Sequence, residues 1–245
     1  LNEAVKHPVA PVVVPRERAA CQEVKHFAAE EGFDIPKLLP APTNTPEDAG
    51  PYITMGMCYA SDPEDESISD ITIHRLCLQT KDEISMYFVP GARHINVFRE
   101  KAEQAGRPLP ISISIGVDPA IEIASCFEPP TTPLGYNELQ VAGALRKKPV
   151  ELTQCLTIEE KCIANAEYVI EGELIPGSYV REDMTTNSGK AMPEFPGYTG
   201  AANPCVPLIK VKAVTHRRNP IMQTCIGPSE EHVSMAGIPT EASIL

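Results

Sequence analysis

Tryptophan is absent from this 245-residue sequence, and aromatic residues make up only 5% of it. A core built from these residues must therefore be mainly aliphatic. The sequence also has no apolar run near the length of about 18 residues that a transmembrane helix needs. This excludes an ordinary membrane-spanning helix, and we expect no membrane partner.

Positive charge and nucleotide-binding motifs are scarce as well. The net charge is −12, and the tightest basic cluster is His216-Arg217-Arg218, whereas proteins that bind a phosphate backbone carry a basic face. We therefore expect no nucleic-acid partner. No Gly-x-Gly-x-x-Gly motif or Walker loop is present, which argues against a Rossmann or P-loop nucleotide site.

The eight cysteines lack the spacing of zinc-binding or redox motifs. They lie at positions 21, 58, 77, 126, 155, 162, 205 and 225, and none forms a Cys-x-x-Cys pair. Several lie within apolar, strand-like runs, which is typical of buried and reduced thiols. Reduced thiols indicate a cytoplasmic protein.

Proline is abundant, with 25 residues, and this is about twice the usual share. The prolines cluster in 8–15, 36–51, 129–133 and 193–207, where they predict ordered loops rather than long helices. The length and the apolar content of 42% predict a soluble globular chain with one large domain or two small ones.

Short apolar runs alternate with helical patterns along the chain. Strands are predicted at 52–59, 68–79, 83–89, 111–117, 151–156, 166–174, 208–216 and 221–226. Helices are predicted at 16–31, 94–106, 119–127, 137–145 and 230–245, with Asp118 and Asn137 as N-caps. A bulge is expected near His74 and Arg75, and a hairpin tip in the first half of the acidic run 62–70. Many short strands with inserted helices predict an α+β fold around a barrel-like sheet.

Residues 181–200 predict a loop that folds back onto a cleft. Glu182 and Glu194 lie there among prolines and glycines, together with the apolar Met192, Phe195 and Tyr198. A carboxylate that such a loop desolvates can exchange protons near neutral pH. The alternative is a pair of glutamates at ordinary turns.

Three polar residues that are distant in sequence form a candidate metal site. Asp70 precedes a polar–apolar strand, His94 lies in the turn 90–94 that opens a helix, and Glu138 lies in the first turn of another helix. Two carboxylates and an imidazole suit Mn²⁺ or a similar cation. The alternative is structural, because histidines are common at turns and a first-turn glutamate balances the helix dipole.

A succession of motifs resembles the UbiD family of reversible (de)carboxylases. In chain order these are Gly-Pro-Tyr-Ile-Thr at 50–54, Ile-His-Arg at 73–75, Pro-Leu-Pro-Ile at 108–111, Ile-Gly-Val-Asp-Pro-Ala at 115–120, Glu-Leu at 138–139, Ala-Gly-Ala-Leu at 142–145, Ala-Glu at 166–167, Glu-Gly-Glu at 171–173 and Thr-His-Arg-Arg-Asn-Pro-Ile at 215–221. The resemblance runs from about residue 50 to the C-terminus. It implies a split β-barrel flavin-binding domain, similar to flavin reductases, with inserted helices.

The resemblance also implies a division of the chain and a set of cofactors. Family members are longer, so we expect a Pro-rich lead-in at 1–50, a central prenylated-FMN-binding domain at 51–228, and at 229–245 the start of a helix that connects to a C-terminal domain. The implied cofactors are prenylated FMN, a divalent metal such as Mn²⁺, and K⁺. The implied partners are a flavin prenyltransferase that supplies the cofactor, and further copies of the protein in a homo-oligomer.

Roles for individual residues follow from the same resemblance. Arg75 would contact the cofactor and pair with an active-site glutamate. Asp70, His94 and Glu138 would bind the metal, with Asp70 at a position where many relatives have asparagine. Further cofactor contacts would come from Thr72, Ile73, His74, His94, Ser125 and Cys126.

The loop at 181–200 departs from the usual family pattern. Glu182 matches the first glutamate of the family's loop, an insertion follows, and Glu194 with Phe195 best matches the second. Asp183 is a spare candidate for that second carboxylate. The inserted form is similar to the branch of gallate and protocatechuate decarboxylases.

The implied function is reversible, non-oxidative decarboxylation of a small aromatic acid, a polyhydroxybenzoate such as gallate or protocatechuate. Arg75 would bind a carboxylate by charge, and Glu182 would deliver the proton that replaces CO₂, with Glu194 as the alternative. Two other functions stay open from the sequence. One is a split-barrel flavin-binding or reductase module that lacks decarboxylase activity, and the other is a non-catalytic interaction domain.

Overall fold

The computed structural model describes residues 1–89, 94–127, 131–194 and 197–244. Its helices are α1 (Asn2–Lys6), α2 (Ile35–Leu38), α3 (His94–Gln104), α4 (Pro119–Ala124), α5 (Leu139–Arg146) and α6 (Glu230–Ile244). Its strands are β1 (Val12–Val13), β2 (Val24–Phe27), β3 (Tyr52–Asp62), β4 (Asp65–Thr80), β5 (Glu83–Met86), β6 (Leu109–Ile115), β7 (Glu151–Gln154), β8 (Lys161–Ile163), β9 (Tyr168–Val180), β10 (Lys190–Pro193), β11 (Thr199–Ala201) and β12 (Val206–His216). The chain is therefore α+β, as the sequence predicts.

The main sheet is antiparallel, and its last strand also pairs with a strand near its other edge. In the described part of the chain, seven strands pair in the order β2-β12-β5-β4-β3-β6-β9. β9 also pairs with β12, from Tyr168 opposite His216 to Val180 opposite Val206. Long strands favour such coiling of a twisted sheet, and β4 and β9 span 16 and 13 residues. β4 lies between β3 and β5, so its backbone is paired on both sides.

Aliphatic residues pack on both faces of this sheet. On one face, Ile53, Cys58 and Ala60 of β3 join a cluster that includes Ile95 and Phe98 of α3. On the other face, Met55, Met57 and Tyr59 join a cluster that includes residues of α4 and α5. The low aromatic content of the sequence is therefore reflected in a core of mainly aliphatic side chains.

The predicted bulge is present, and it lies on β3. The pairing steps from Ile53 opposite Leu76 to Gly56 opposite His74, so β3 uses one more residue than β4. An extra residue inverts the inward and outward alternation of a strand. This explains why Ile53 and Cys58 contact the same cluster although an odd number of positions separates them.

Three predicted elements are wrong. Residues 16–31 form two 3₁₀ turns and β2 rather than a helix, because β2 pairs with β12 and tertiary pairing overrides local propensity. Residues 221–226 form no strand; there the backbone N–H groups of Ile221 and Cys225 donate to side chains of Glu167 and Thr54. Residues 181–200 are not a loop throughout, since β10 and β11 form a hairpin.

Other predictions are confirmed with shifted ends. Residues 63–64 form the tip of the β3–β4 hairpin, and the Asp118 carboxylate caps α4 by accepting from Ala120 N–H at 3.0 Å. Asn137 Oδ1 accepts from Leu139 N–H at 2.9 Å, while Glu138 occupies the N-cap position of α5. No disulfide joins any of the eight cysteines, all of which lie in the described part of the chain. Among the described residues, no helix combines the length and the apolarity needed to cross a bilayer.

Candidate functional site

A cavity of about 210 Å³ opens beside β4. Its walls come from β3, β4, the segment after β5, β10 with the residue that follows it, and α6 with the segment before it. The side chains used below are Ile73, His74 and Arg75 from β4, Met192 and Glu194 from the hairpin, and His232 from α6. The hairpin therefore folds over a cleft, and it brings a carboxylate with it.

Arg75 joins two glutamates at this cavity. Its Nε and Nη2 donate to Glu182 Oε1 and Oε2, each at 2.8 Å, in a bidentate pair. Its Nη1 donates to Glu194 Oε1 at 2.6 Å. The guanidinium carbon also lies 4.1 Å from the centre of the Tyr87 ring, in cation–π geometry. Three different groups therefore fix the orientation of the Arg75 side chain.

Glu182 is the enclosed partner of Arg75. Its side chain is 2% exposed, and it also accepts from the Tyr52 hydroxyl at 3.0 Å and from the Asn203 N–H at 3.0 Å. Both carboxylate oxygens thus accept from more than one donor. Donors of this kind stabilise the charged form of a buried carboxyl group. Glu182 is therefore suited to holding Arg75 in place.

Glu194 is the more open partner of Arg75. Its side chain is 26% exposed and lines the cavity. The hairpin holds it by a backbone hydrogen bond from Glu194 N–H to the Tyr198 carbonyl at 2.8 Å. Gly200 allows the close fit, since a Cβ there would lie 3.0 Å from Glu194 Oε1. Phe195, which the sequence analysis paired with Glu194, lies outside the described residues.

Asp183 is directed away from Arg75. Its two carboxylate oxygens each accept from Arg181 Nη2 at 3.0 Å, and the Gly189 N–H donates to one of them at 2.8 Å. These bonds close the turn between β9 and β10. The structure therefore gives Asp183 a local partner, and Glu194 is the second carboxylate beside Arg75.

The electrostatics of Arg75 follow from this enclosure. Burial acts to lower the pKa of Arg75, but attraction to Glu182 and then to Glu194 outweighs it, and the pKa is raised. Arg75 is thus a permanent cation between two carboxyl groups. With both glutamates ionised, the three side chains carry one net negative charge.

Asp70, His94 and Glu138 meet at a second cluster. One ligand atom from each lies within 4.8 Å of the others, and His94 Nδ1 lies 3.5 Å from Asp70 Oδ1. β4 supplies Asp70, α3 begins at His94, and Glu138 directly precedes α5. The turn that was predicted to open α3, residues 90–93, lies outside the described residues.

The donor chemistry of this cluster fits a divalent cation. Asp70 and Glu138 are each 1% exposed, and among the described residues neither oxygen of Asp70 nor Glu138 Oε2 has a hydrogen-bond partner. Burial, followed by repulsion from Asp70, raises the pKa of Glu138. Buried carboxylates without partners are costly, and a cation would neutralise them. Two carboxylate groups and an imidazole match the preferences of Mn²⁺ and similar ions.

The residues predicted to contact a cofactor lie in two places. Thr72 and His74 share one face of β4 and are 2.6 Å apart at Oγ1 and Nε2, while Ile73 and His74 reach the cavity wall. Ser125 is buried at the end of α4, where its Oγ donates to the Glu122 carbonyl at 2.8 Å. Within the described residues, the cavity lining does not include Ser125 or Cys126.

The sequence analysis missed several groups at this site. Tyr52 lay inside a quoted motif without a role, and Tyr87 gave no signal beyond its aromatic character. The Asn203 donor is a backbone N–H, which side-chain patterns do not reveal. His232 was predicted as part of a helix, but its position on the cavity wall depends on how α6 packs.

Comparison with known proteins gives one family and several close relatives. The family model described as UbiD, 3-octaprenyl-4-hydroxybenzoate carboxy-lyase Rift-related domain, matches residues 12–230. The gallate decarboxylase of Lactiplantibacillus plantarum is 59% identical over 245 residues, which is 100% of this chain and 50% of that protein. The chain thus spans about half the length of the curated relatives it matches.

Solved structures agree with this match. The apo 3,4-dihydroxybenzoic acid decarboxylase of Klebsiella pneumoniae has a TM-score of 0.94 and 64% sequence identity, covering 99% of this chain and 49% of that one. An evolved dimeric form of the UbiD-class enzyme HmfF from Pelotomaculum thermopropionicum, in complex with prFMN, has a TM-score of 0.88 and 41% identity, covering 98% and 52%.

Proposed function

The chain belongs to the UbiD family, and on this premise we propose that the protein catalyses reversible, non-oxidative decarboxylation of a polyhydroxybenzoate such as gallate or protocatechuate. The observation that carries the proposal is Arg75, which holds one glutamate on each side at the cavity wall. The names of two close relatives, a gallate decarboxylase and a 3,4-dihydroxybenzoic acid decarboxylase, support this substrate class.

The proposal extends to fold, cofactors and partners. The return of the strand order through the β9–β12 pairing supports a split β-barrel, with a lead-in at 1–50, a flavin-binding domain at 51–228 and a connecting helix from 229. Prenylated FMN is supported by the HmfF complex. K⁺, a flavin prenyltransferase as cofactor supplier and a homo-oligomer follow from family resemblance.

Residues on β4 and its neighbours would hold these groups. The orphaned oxygens of Asp70 and Glu138, with His94, support a Mn²⁺ site. Cofactor contacts are proposed for Thr72, Ile73, His74, Arg75 and His94, with Ser125 and Cys126 at the end of α4. When bound, the prenylated flavin supplies the electron sink that side chains lack for loss of CO₂ from an aromatic ring.

Glu194 is the better candidate for proton delivery, although the sequence analysis favoured Glu182. Glu182 is 2% exposed and uses both oxygens to accept from Arg75, Tyr52 and Asn203. Glu194 faces the cavity and shares one hydrogen bond with Arg75. We therefore assign Glu182 to fixing Arg75, and Glu194 to delivering a proton.

Charge balance supports the same assignment. With both glutamates ionised, Arg75 and its two partners carry one net negative charge. A substrate carboxylate in the cavity adds a second negative charge close to it. A further negative charge favours the protonated form of a carboxyl group nearby. Glu194 can then carry the proton that replaces CO₂ on the ring carbon, while Glu182 keeps its bidentate pair with Arg75.

The test uses the full-length protein, expressed with a flavin prenyltransferase and assayed for CO₂ release from gallate and protocatechuate with and without Mn²⁺. We expect metal-dependent release, and in D₂O the ring carbon that loses CO₂ should gain deuterium. Glu194→Gln should lower kcat at least about 100-fold, the usual scale of a general acid. Glu173→Gln is the control, because Glu173 pairs with Lys212 on the sheet.

The opposite outcome is equally specific. Bound ordinary FMN, no effect of Mn²⁺ and no CO₂ would overturn the decarboxylase proposal and favour a flavin-binding or reductase module. Loss of all affinity for flavin would favour a non-catalytic interaction domain.

A further inference from the structure

Tyr52 lies beneath the Arg75 network, at the start of β3. It is 0% exposed, and its hydroxyl donates to Glu182 Oε1 at 3.0 Å. Burial, with Cys77 and Glu182 close by, raises the pKa of the Tyr52 phenol. The hydroxyl therefore keeps its proton and serves as a donor throughout the physiological range.

The charged and titratable groups around Glu182 come from three parts of the fold. β3 supplies Tyr52, β4 supplies Arg75 and Cys77, and the β10–β11 hairpin places Glu194 on the far side of Arg75. Burial, and then Glu182, raise the pKa of the Cys77 thiol to about 12, so Cys77 stays neutral. Glu182 is therefore attracted by the charge of Arg75, repelled by that of Glu194, and hydrogen-bonded by neutral donors.

Each donor to Glu182 fixes part of its orientation. Oε1 accepts from the Tyr52 hydroxyl and from Arg75 Nε, and Oε2 accepts from the Asn203 N–H and from Arg75 Nη2. The Tyr52 hydroxyl therefore helps to hold the carboxylate in the orientation in which it binds Arg75 at two atoms.

We propose that Tyr52 is a positioning residue, whose hydroxyl holds the Glu182 carboxylate against Arg75 and so keeps Arg75 Nη1 toward Glu194. Within the described residues, neither Tyr52 nor Glu182 is part of the cavity lining, so Tyr52 acts through its neighbours. The consequence for catalysis rests on the proposed decarboxylase function. Loss of the hydroxyl would loosen Arg75 and so misplace Glu194.

The experiment compares Tyr52→Phe with the unmodified full-length protein, loaded with prenylated flavin and Mn²⁺. kcat and KM for protocatechuate and gallate are measured at neutral pH. We expect kcat to fall about tenfold, which is the scale of one hydrogen bond to a charged group. KM should stay the same, because within the described residues Tyr52 does not line the cavity.

Tyr168→Phe is the matched control. Tyr168 is also buried, at 5% exposed, but it lies on β9 and packs its ring 5.4 Å from that of His216. It loses the same hydroxyl without touching the Arg75 network, and its kcat and KM should match those of the unmodified protein. An unchanged kcat for Tyr52→Phe, or equal losses of kcat in both variants, would refute the proposal.

A second readout does not depend on catalysis. Thermal unfolding of the same three proteins is followed by circular dichroism at neutral pH. Tyr52→Phe removes a donor from the buried Glu182 carboxylate, so it should lower the Tm more than Tyr168→Phe does. If no protein releases CO₂, the proposed function fails, while this comparison still decides whether Tyr52 holds Glu182.

Discussion

Asp70→Asn should stabilise the metal-free protein while weakening its response to Mn²⁺. Asp70 and Glu138 are both buried, and their ligand atoms lie within 4.8 Å of each other. At 4.8 Å, Coulomb's law with an effective dielectric constant of about 20 gives a repulsion of about 3.5 kcal/mol between two full charges. Because an amide at position 70 removes one of the charges, the free energy of unfolding should rise by up to that amount.

The raised pKa of Glu138 determines how the stabilisation by Asp70→Asn depends on pH. The raised pKa of Glu138 means that its carboxyl group takes up a proton in the folded protein at a pH where it would be ionised in the unfolded chain. Stability from this group is present at low pH and is lost as pH rises through the raised pKa. The stabilisation by Asp70→Asn should therefore be small at low pH and should grow as pH rises through the raised pKa of Glu138.

The assay is thermal unfolding of the EDTA-treated protein, with and without added Mn²⁺. For a chain of this size, 3.5 kcal/mol corresponds to a rise in Tm of about 7–14 °C. Mn²⁺ should then raise the Tm of the unmodified protein more than that of the variant. Asp65→Asn is the control, since Asp65 lies at the exposed start of β4, where it accepts from Ser67. A metal-free Tm for Asp70→Asn that is unchanged or lowered at high pH would refute the reasoning.

Two further predictions concern the cavity. Arg75→Lys keeps the positive charge but loses the planar set of donors that binds Glu182 at two atoms and Glu194 at a third. We expect kcat to fall at least about 100-fold, the scale of a misplaced catalytic group. The absorbance spectrum should still show bound flavin. Gly200→Ala puts a Cβ 3.0 Å from Glu194 Oε1, so it should lower kcat while KM and Tm change little. Arg75→Lys with full activity, or Gly200→Ala with unchanged kcat, would contradict the roles given to these contacts.

Much of the fold could be predicted because short apolar runs bounded by turn residues are typical of strands. The runs that became β3, β4 and β12 carry aliphatic residues at strand spacing, and the structure places strands there. The helix prediction for 16–31 was wrong because the local spacing of apolar residues carries no information about β12. That strand lies almost 190 residues later in the chain and pairs with β2. The hairpin of β10 and β11 was hidden for another reason, since proline and glycine predict turns while the pairing depends on tertiary contacts.

The functional side chains of the candidate site could be predicted from the sequence, but the groups that hold them in place could not. Arg75, Glu182 and Glu194 were named from sequence and resemblance, and the structure brings them into contact. Which glutamate faces the cavity depends on burial and on donors such as the Asn203 N–H, a backbone group that any residue could supply. Their catalytic roles, and the metal-binding roles of Asp70, His94 and Glu138, stay predictions.

The two charged clusters on β4 differ in whether they need a bound cation to balance their negative charges. At Arg75 the positive charge is part of the chain, so two carboxylates can be held close without a bound ion. Five residues earlier, Asp70 joins Glu138 and His94, where carboxylate oxygens are buried without hydrogen-bond partners in the described part of the chain. The first cluster can therefore form in the protein alone, whereas the second becomes favourable when a cation arrives. Metal removal should accordingly disturb the second cluster and leave the Arg75–Glu182 pair intact, which separates loss of metal from loss of the Arg75 network.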